Sequence, residues 1–278
     1  MGDYCMAQCA IYHRCMALVQ VNDVWKSYPV RDGFRKELRH AVRAVSLSVE
    51  AGETLGVVGE SGSGKTTLAR MILGLVEPTQ GSIVVNGVDL ARATREELFQ
   101  IRRQMQPVFQ DPYAALNPRM KVLEIITEPL VIHGYPGGNA GRRKRAVALL
   151  GQVGLDESAQ GRYPHEFSGG QRQRINIARA LALEPRLLIL DEPVSALDVS
   201  VGAQIVNLLR ELQRDHGLSY LFISHSMPLV RYLSTRIAVM EQGRLVEIGE
   251  AESLCANPRE AYTRQLIEAT PELPAGVA

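Results

Sequence analysis

Eight consecutive residues, Gly59-Glu60-Ser61-Gly62-Ser63-Gly64-Lys65-Thr66, fit the pattern G-x-x-x-x-G-K-[ST], and each residue type has a use in that order. Glycines let the backbone turn tightly enough for several N–H groups to face one phosphate. A helix expected to begin near Lys65 would aim its positive end at the same anion. Lys65 can neutralise β and γ phosphates, and the Thr66 hydroxyl can ligate Mg²⁺. Gly59, Ser61, Gly62, Ser63, Gly64 and Thr67 complete the candidate nucleotide contacts. Farther along, Leu187-Leu188-Ile189-Leu190-Asp191-Glu192 reads as an apolar strand ending in two acids. Such a strand would deliver Asp191 to its C-terminal end, where α/β sheets bind ligands. Asp191 would hold Mg²⁺ or its water shell, and Glu192 would polarise an attacking water. Two acids after a strand mean little alone; downstream of a phosphate loop they are the expected second half of a nucleoside-triphosphate site.

The elements that must position these residues alternate between strand and helix. Val42 to Val49 alternates apolar and polar residues, as a half-buried strand does. Thr54 to Val58 is a short apolar strand leading into the glycine-rich turn. The helix after that turn places Leu68, Met71, Ile72 and Leu75 on an apolar face. Ile83 to Val85 followed by Asn86-Gly87 predicts a hairpin. Thr94 to Arg103 opens with Thr-x-x-Glu, a capping box, and predicts a helix. The stretch from about Asp111 to Leu183 is mostly helical, with loops expected at Tyr135-Pro136-Gly137-Gly138 and Tyr163-Pro164. Strand character returns at Leu187 to Leu190, Tyr220 to Ser224 and Ile237 to Met240. This order predicts an α/β fold with a largely parallel sheet covered on both faces and a helical insertion at about residues 111–183. The main domain is expected over residues 16–269. Residues 1–15, without periodicity, are expected to form a disordered extension, and residues 270–278 a tail.

Lys and Arg number 31 and Asp and Glu 30 in 278 residues, a net charge of +1. A general basic surface is therefore absent, and nucleic acid is not an expected partner. No uncharged apolar run reaches the roughly 18 to 20 residues of a membrane helix. Cys5, Cys9 and Cys15 lie in the first fifteen residues and Cys255 near the other end, which is not the distribution of a disulfide framework. A reducing cytoplasm fits best, and no signal-peptide pattern is expected. Cys5, Cys9, His13 and Cys15 match no standard zinc spacing. The basic stretch Arg31, Arg35, Lys36, Arg39 and Arg43 reads as a solvated loop face. The run Arg142-Arg143-Lys144-Arg145 opens a predicted helix and is expected to be solvated too.

Phe167-Ser168-Gly169-Gly170-Gln171, followed by a helix through Arg174, Ile177 and Ala178, narrows the class. Physically it is a second anion site, with small residues at a free helix N-terminus. Here the chain resembles the ATPase subunit of an ATP-binding-cassette (ABC) transporter, whose signature is Ser-Gly-Gly-Gln. The resemblance implies a P-loop NTPase core with a mixed or parallel sheet, an N-terminal antiparallel β part and a helical insertion. It implies ATP and Mg²⁺ as cofactors, and a head-to-tail dimer in which each ATP lies between one subunit's phosphate loop and the other's Ser168, Gly169, Gly170 and Gln171. Tyr28 resembles the aromatic that stacks on adenine. Gln110 resembles the glutamine that contacts Mg²⁺ and the attacking water. Ser195-Ala196-Leu197-Asp198 resembles the loop that crosses the dimer seam, which makes Asp198 a candidate contact. His225, after Leu221-Phe222-Ile223-Ser224, resembles the switch histidine that contacts the γ-phosphate. The family usually has Asp next, whereas this chain has Ser226, so a helix-cap contact is in question there.

The resemblance covers about Leu18 to Ala269. Gln110-Asp111-Pro112-Tyr113-Ala114-Ala115-Leu116-Asn117-Pro118-Arg119-Met120 and Ala261-Tyr262-Thr263-Arg264-Gln265-Leu266 are similar to the dipeptide, oligopeptide and nickel importer branch. That branch usually has His-Pro before the Tyr-Thr pair, and Glu260-Ala261 stands there instead. The implied partners are a second ATPase subunit, identical or different, transmembrane permease subunits, and indirectly a periplasmic or extracellular solute-binding protein. The implied location is the cytoplasmic face of the cell membrane, as a peripheral subunit. Other classes fit less well. A DNA-maintenance ABC ATPase would carry long heptads or zinc cysteines, a translation-type factor two cassettes, and a GTPase Asn-Lys-x-Asp.

Overall fold

The computed structural model describes residues 17–32 and 35–269. The expected N-terminal extension with Cys5, Cys9, His13 and Cys15, and the C-terminal tail, lie outside the described residues, as do the side chains of Arg31, Arg35 and Lys36.

Two sheets carry the fold. Strands β1 (Val19–Asp32), β2 (Arg35–Val49), β4 (Gln80–Val85) and β5 (Val88–Asp89) form an antiparallel sheet in the order β2-β1-β4-β5. Strands β3 (Thr54–Val58), β6 (Met105–Val108), β7 (Leu187–Asp191), β8 (Ser219–Ser224), β9 (Arg236–Glu241) and β10 (Arg244–Glu250) form the second, in the order β10-β9-β3-β8-β7-β6. The β9-β3-β8-β7-β6 pairs are parallel, and only β10 runs against its neighbour. The architecture is thus α/β, with an antiparallel N-terminal sheet beside a mixed one.

Strand periodicity divides the core into two. Leu187 and Ile189 face the antiparallel sheet, in one cluster with Leu55, Val57, Val19 and Val45. Helix α1 (Lys65–Ile72) lies in that layer through Leu68, Met71 and Ile72. Leu188 and Leu190 point the other way, into a cluster with Phe222, Val239 and Ile205. The helices between β6 and β7, the first excepted, join this second cluster. They are α3 (Pro112–Ala115), α4 (Val122–Ile132), α5 (Gly138–Gln152) and α6 (Gly169–Leu181), and α2 (Arg95–Gln104) precedes β6. After β7 come α7 (Val199–His216), α8 (Met227–Leu233), α9 (Ala251–Ala256) and α10 (Ala261–Glu268).

Local predictions hold where short-range chemistry decides. Thr94 caps α2 in the expected capping box with Glu97. Asn86 and Gly87, both at positive φ, turn β4 into β5. Three expectations need correction. Leu75 is exposed, because α1 ends at Ile72 and Gly74 at φ 64° turns the chain away. The basic run Arg142–Arg145 does not open its helix, which starts four residues earlier at Gly138. Nor is the run wholly solvated: Arg145 donates to the Leu181 carbonyl and pairs with Glu184 at 3.2 Å. The Tyr163-Pro164 loop leads straight into a 3₁₀ turn over Pro164–Glu166.

Candidate active site

Parallel register brings the candidate residues to one edge. Val58 of β3 lies opposite Ser224 of β8, Asp191 of β7 opposite Ile223, and Val108 of β6 opposite Leu190. The chain therefore leaves four adjacent strands at nearly one level, through Gly59, His225, Glu192 and, two residues past β6, Gln110. The C-terminal edge of such a sheet is where open α/β folds collect ligands.

The glycine-rich loop is held by its own lysine. The Lys65 ammonium donates to the carbonyls of Gly59 (2.7 Å) and Glu60 (2.8 Å) and reaches Ser63 Oγ at 3.4 Å. Burial lowers its pKa, against the raising influence of Glu192, Asp191 and Glu60. Gly64 is the N-cap of α1 at φ 103°, and a Cβ there would collide with the Ala41 carbonyl oxygen of β2. Glycine is required at this position on both counts. Ser61 and Gly62 are exposed at the tip, and Thr67 is half-buried in the first helical turn.

Thr66 Oγ1 donates to Asp191 Oδ1 at 3.1 Å. Burial raises the Asp191 pKa, and the Thr66 bond opposes that rise. A hydroxyl and a desolvated carboxylate side by side are hard oxygen donors suited to a cation that keeps other ligands from phosphate and water. Among the described residues no cluster of three or more His, Cys, Asp or Glu side chains could hold a metal by itself.

Glu192 is bracketed. Gln110 Nε2 donates to its Oε2 at 3.1 Å, and His225 Nδ1 lies 3.4 Å from its Oε1. Its backbone sits at φ 49°, a conformation that costs a non-glycine residue about 1 kcal/mol. The surrounding turn enforces it. The Glu192 N–H donates to Ile223 O (2.9 Å), and its carbonyl accepts from the Ser195 N–H (3.2 Å) and hydroxyl (3.1 Å). Sequence reasoning names Gln110, Glu192 and His225 separately; neither the strained backbone nor their mutual bonding has a signal in composition or spacing. Ser226 makes no side-chain cap on α8; its N–H instead donates to Ser224 Oγ at 3.0 Å.

Ser168–Gln171 and Ser195–Asp198 form a second group. Ser168 caps α6 in a capping box with Gln171, and Asp198 caps α7 by accepting from the Val201 N–H at 2.9 Å. The bonds that Asp198 accepts from the Val201 N–H and the Ser200 hydroxyl lower its pKa and favour the carboxylate at the exposed end of its helix. Gly169 faces Leu197, and a Cβ on Gly170 would collide with Val201 Cγ1. The small residues thus serve packing between two helix ends as well as leaving backbone N–H groups open. Gln173 Nε2 donates to Pro193 O at 2.7 Å, tying α6 to the turn after Glu192. Arg172 stacks on the Tyr113 ring at 3.9 Å, and Arg179 donates to Ala115 O, so α3 lies against α6. Tyr28 stands apart from both groups. It is half-exposed on β1 opposite Arg39, two residues along β2 from the Ala41 that touches Gly64, and Lys26 lies over its ring at 5.2 Å.

Comparison with known proteins gives this geometry a family. Residues 42–195 match the family described as ABC transporter. The chain is 52% identical over 232 residues to the oligopeptide transport ATP-binding protein OppF of Bacillus subtilis (strain 168), covering 83% of this chain and 76% of that one. It is 51% identical over 257 residues to the glutathione import ATP-binding protein GsiA of Salmonella typhimurium, covering 91% of this chain; it spans 41% of that relative's length. Among solved structures, the dimeric post-hydrolysis state of the ATP-binding cassette MJ0796 bound to ADP and Pi aligns with a TM-score of 0.74 at 33% identity, covering 84% of this chain and 98% of that one. With its phosphate loop, its Asp191-Glu192 strand end and its capped Ser-Gly-Gly-Gln helix in the arrangement described, the chain belongs to the ABC transporter family of ATP-binding cassettes.

Proposed function

We propose that the chain is the ATP-hydrolysing subunit of an importer for a dipeptide, an oligopeptide or a related small solute, working through separate membrane subunits. The observation that carries the reading is the bracketing of Glu192 by Gln110 and His225 beside Lys65, Thr66 and Asp191. Phosphoryl transfer to water needs a positioned nucleophile and charge stabilisation on the transferring group. Glu192, with both oxygens oriented, acts as general base. His225 orients that carboxylate and contacts the γ-phosphate. Lys65 exchanges the carbonyls of Gly59 and Glu60 for β and γ phosphate oxygens, and the N–H groups of Ser61 to Thr67 cradle the same oxygens. Thr66, Asp191 and Gln110 would hold Mg²⁺, which supplies charge neutralisation on the phosphates when bound. Tyr28 takes the adenine.

Ser168, Gly169, Gly170, Gln171 and Asp198 then belong to the facing nucleotide of a second cassette, in a head-to-tail pair. Support comes from their grouping on two adjacent helix ends, with Val199 beside them 75% exposed. The partner is an identical or a sister ATPase. Residues 111–183 are the insertion that passes closure of the pair to permease subunits, within a cassette over 16–269, and a solute-binding protein acts one step removed. Among the described residues no helix is long and apolar enough to cross a membrane. This fits peripheral attachment at the cytoplasmic face. The peptide assignment rests on the oligopeptide and glutathione relatives. Its test is uptake of labelled di- and oligopeptides by the cell that encodes the chain. Deletion should abolish uptake of at least one of them, and re-expression of wild type, but not of Lys65→Ala, should restore it. Uptake unchanged by deletion for every peptide would overturn the substrate class.

A further inference from the structure

Tyr262, in the C-terminal segment Ala261-Tyr262-Thr263-Arg264-Gln265-Leu266, reaches the phosphate loop across 202 residues of sequence. The Glu60 backbone N–H donates to its phenol oxygen at 3.1 Å. The same Glu60 residue accepts on its carbonyl from the Lys65 ammonium (2.8 Å) and the Ser63 N–H (3.2 Å). Glu60 is therefore gripped on both its polar backbone groups, from α10 on one side and from within the loop on the other. We propose that Tyr262 is a positioning residue of the nucleotide site, and that α10 is a strut that sets the shape of the loop's first turn.

Three observations make the strut stiff. The Glu247 carboxylate of β10 accepts from the N–H groups of Arg259 (3.0 Å) and Glu260 (3.2 Å), fixing the chain just before α10 begins. Thr263, next to Tyr262, is wholly buried. The Tyr262 ring, with Leu266 and Ile267, packs against the core cluster that contains Leu190 and Phe222. The loop therefore does not rest on a free arm but on a helix anchored at its start and along one face. A loop whose first turn is already held in one shape loses less conformational freedom when it closes on phosphate, and preorganisation of this kind appears as affinity. The inference rests on the loop being the nucleotide site.

The test compares the purified full chain with Tyr262→Phe, which removes the hydroxyl and keeps the ring. A neutral hydrogen bond sets the scale, so the variant should bind ATP and ADP roughly two- to tenfold more weakly. Amide hydrogen exchange read peptide by peptide should speed up across residues 59–66, a local change that a general loss of packing would not confine to the loop. Glu247→Gln should shift both readouts the same way by less. If Tyr262→Phe melts as wild type does, binds nucleotide equally or more tightly and exchanges normally in the loop, the strut is wrong while the nucleotide site stands. If wild type itself binds no ATP, the reading of the site fails first. If the Phe variant unfolds, Glu247→Gln decides the matter by the same two readouts.

Discussion

His225 Nδ1 stands 3.4 Å from Glu192 Oε1, and the two residues follow the ends of neighbouring parallel strands, one residue out of level. Register alone would not make this pair, because Glu192 is level with Ser224, one residue short of His225. The φ of 49° at Glu192, just past the end of β7, breaks the strand alternation and lets the two side chains meet. Gln110 completes the arrangement from beyond β6, the neighbour of β7 on its other side. The Glu192 carboxylate is thus oriented by backbone geometry and by two flanking side chains.

His225→Ala removes one of the two groups that fix the carboxylate. ATP turnover should fall on the order of 10²-fold, the scale of a lost proton-transfer or positioning group, with the KM for ATP changed little. Steady-state ATPase kinetics check this. A fall in affinity with unchanged turnover would instead make His225 a binding residue.

Lys65→Met keeps the length of the side chain and removes the charge. Hydrogen bonds to charged groups contribute about 1.5–3 kcal/mol, so nucleotide affinity should drop by roughly one to two orders of magnitude. Titration calorimetry with ADP gives the number. The ligand-free chain should also melt at a lower temperature, because the variant removes the ammonium that holds the Gly59 and Glu60 carbonyls.

Asp191→Asn separates stability from function. Burial raises the Asp191 pKa, so the folded state disfavours its ionised form. A carboxyl whose folded pKa exceeds its unfolded value contributes stability that is fully present at low pH and is lost as pH rises through the folded pKa. The Asn variant should therefore melt higher than wild type at neutral pH. That advantage should shrink as pH falls into the ordinary carboxylate range. It should also lose the extra thermal stabilisation that Mg²⁺ adds to ATP. Melting curves across pH, with and without nucleotide and Mg²⁺, test both halves.

Gly170→Ala places a methyl where Val201 Cγ1 lies. Overpacking of this kind costs about 1–3 kcal/mol, and the melting temperature should fall accordingly. Adding Val201→Ala should recover most of the loss, a coupling that only neighbouring residues show. Recovery of stability without recovery of ATPase activity would separate the packing role of Gly170 from its place in the signature.

What the sequence makes legible is what nearest neighbours decide. Gly59 to Thr66 and Leu187 to Glu192 are readable because a turn, a helix start and a buried strand each demand particular residue types over a few positions. β1 and β2 run to Asp32 and from Arg35, well past the apolar alternation, because backbone pairing continues where the side chains have become charged. The start of α5 at Gly138 is hidden by glycines, which disfavour helix but here follow Gly137 at φ 91°. The contacts that join distant segments have no local signal at all. Glu192 at φ 49°, Gly170 against Val201 and Glu60 against Tyr262 each depend on the packing of whole layers.

On the proposed mechanism, Glu192 activates the attacking water. This role is tested by ATP turnover in Glu192→Gln, which keeps the shape of the side chain and removes its basicity. The variant should bind ATP as tightly as wild type, and its turnover should fall by roughly 10²- to 10⁴-fold, the scale of a lost general base. Turnover at the wild-type rate would show that Glu192 is not the general base.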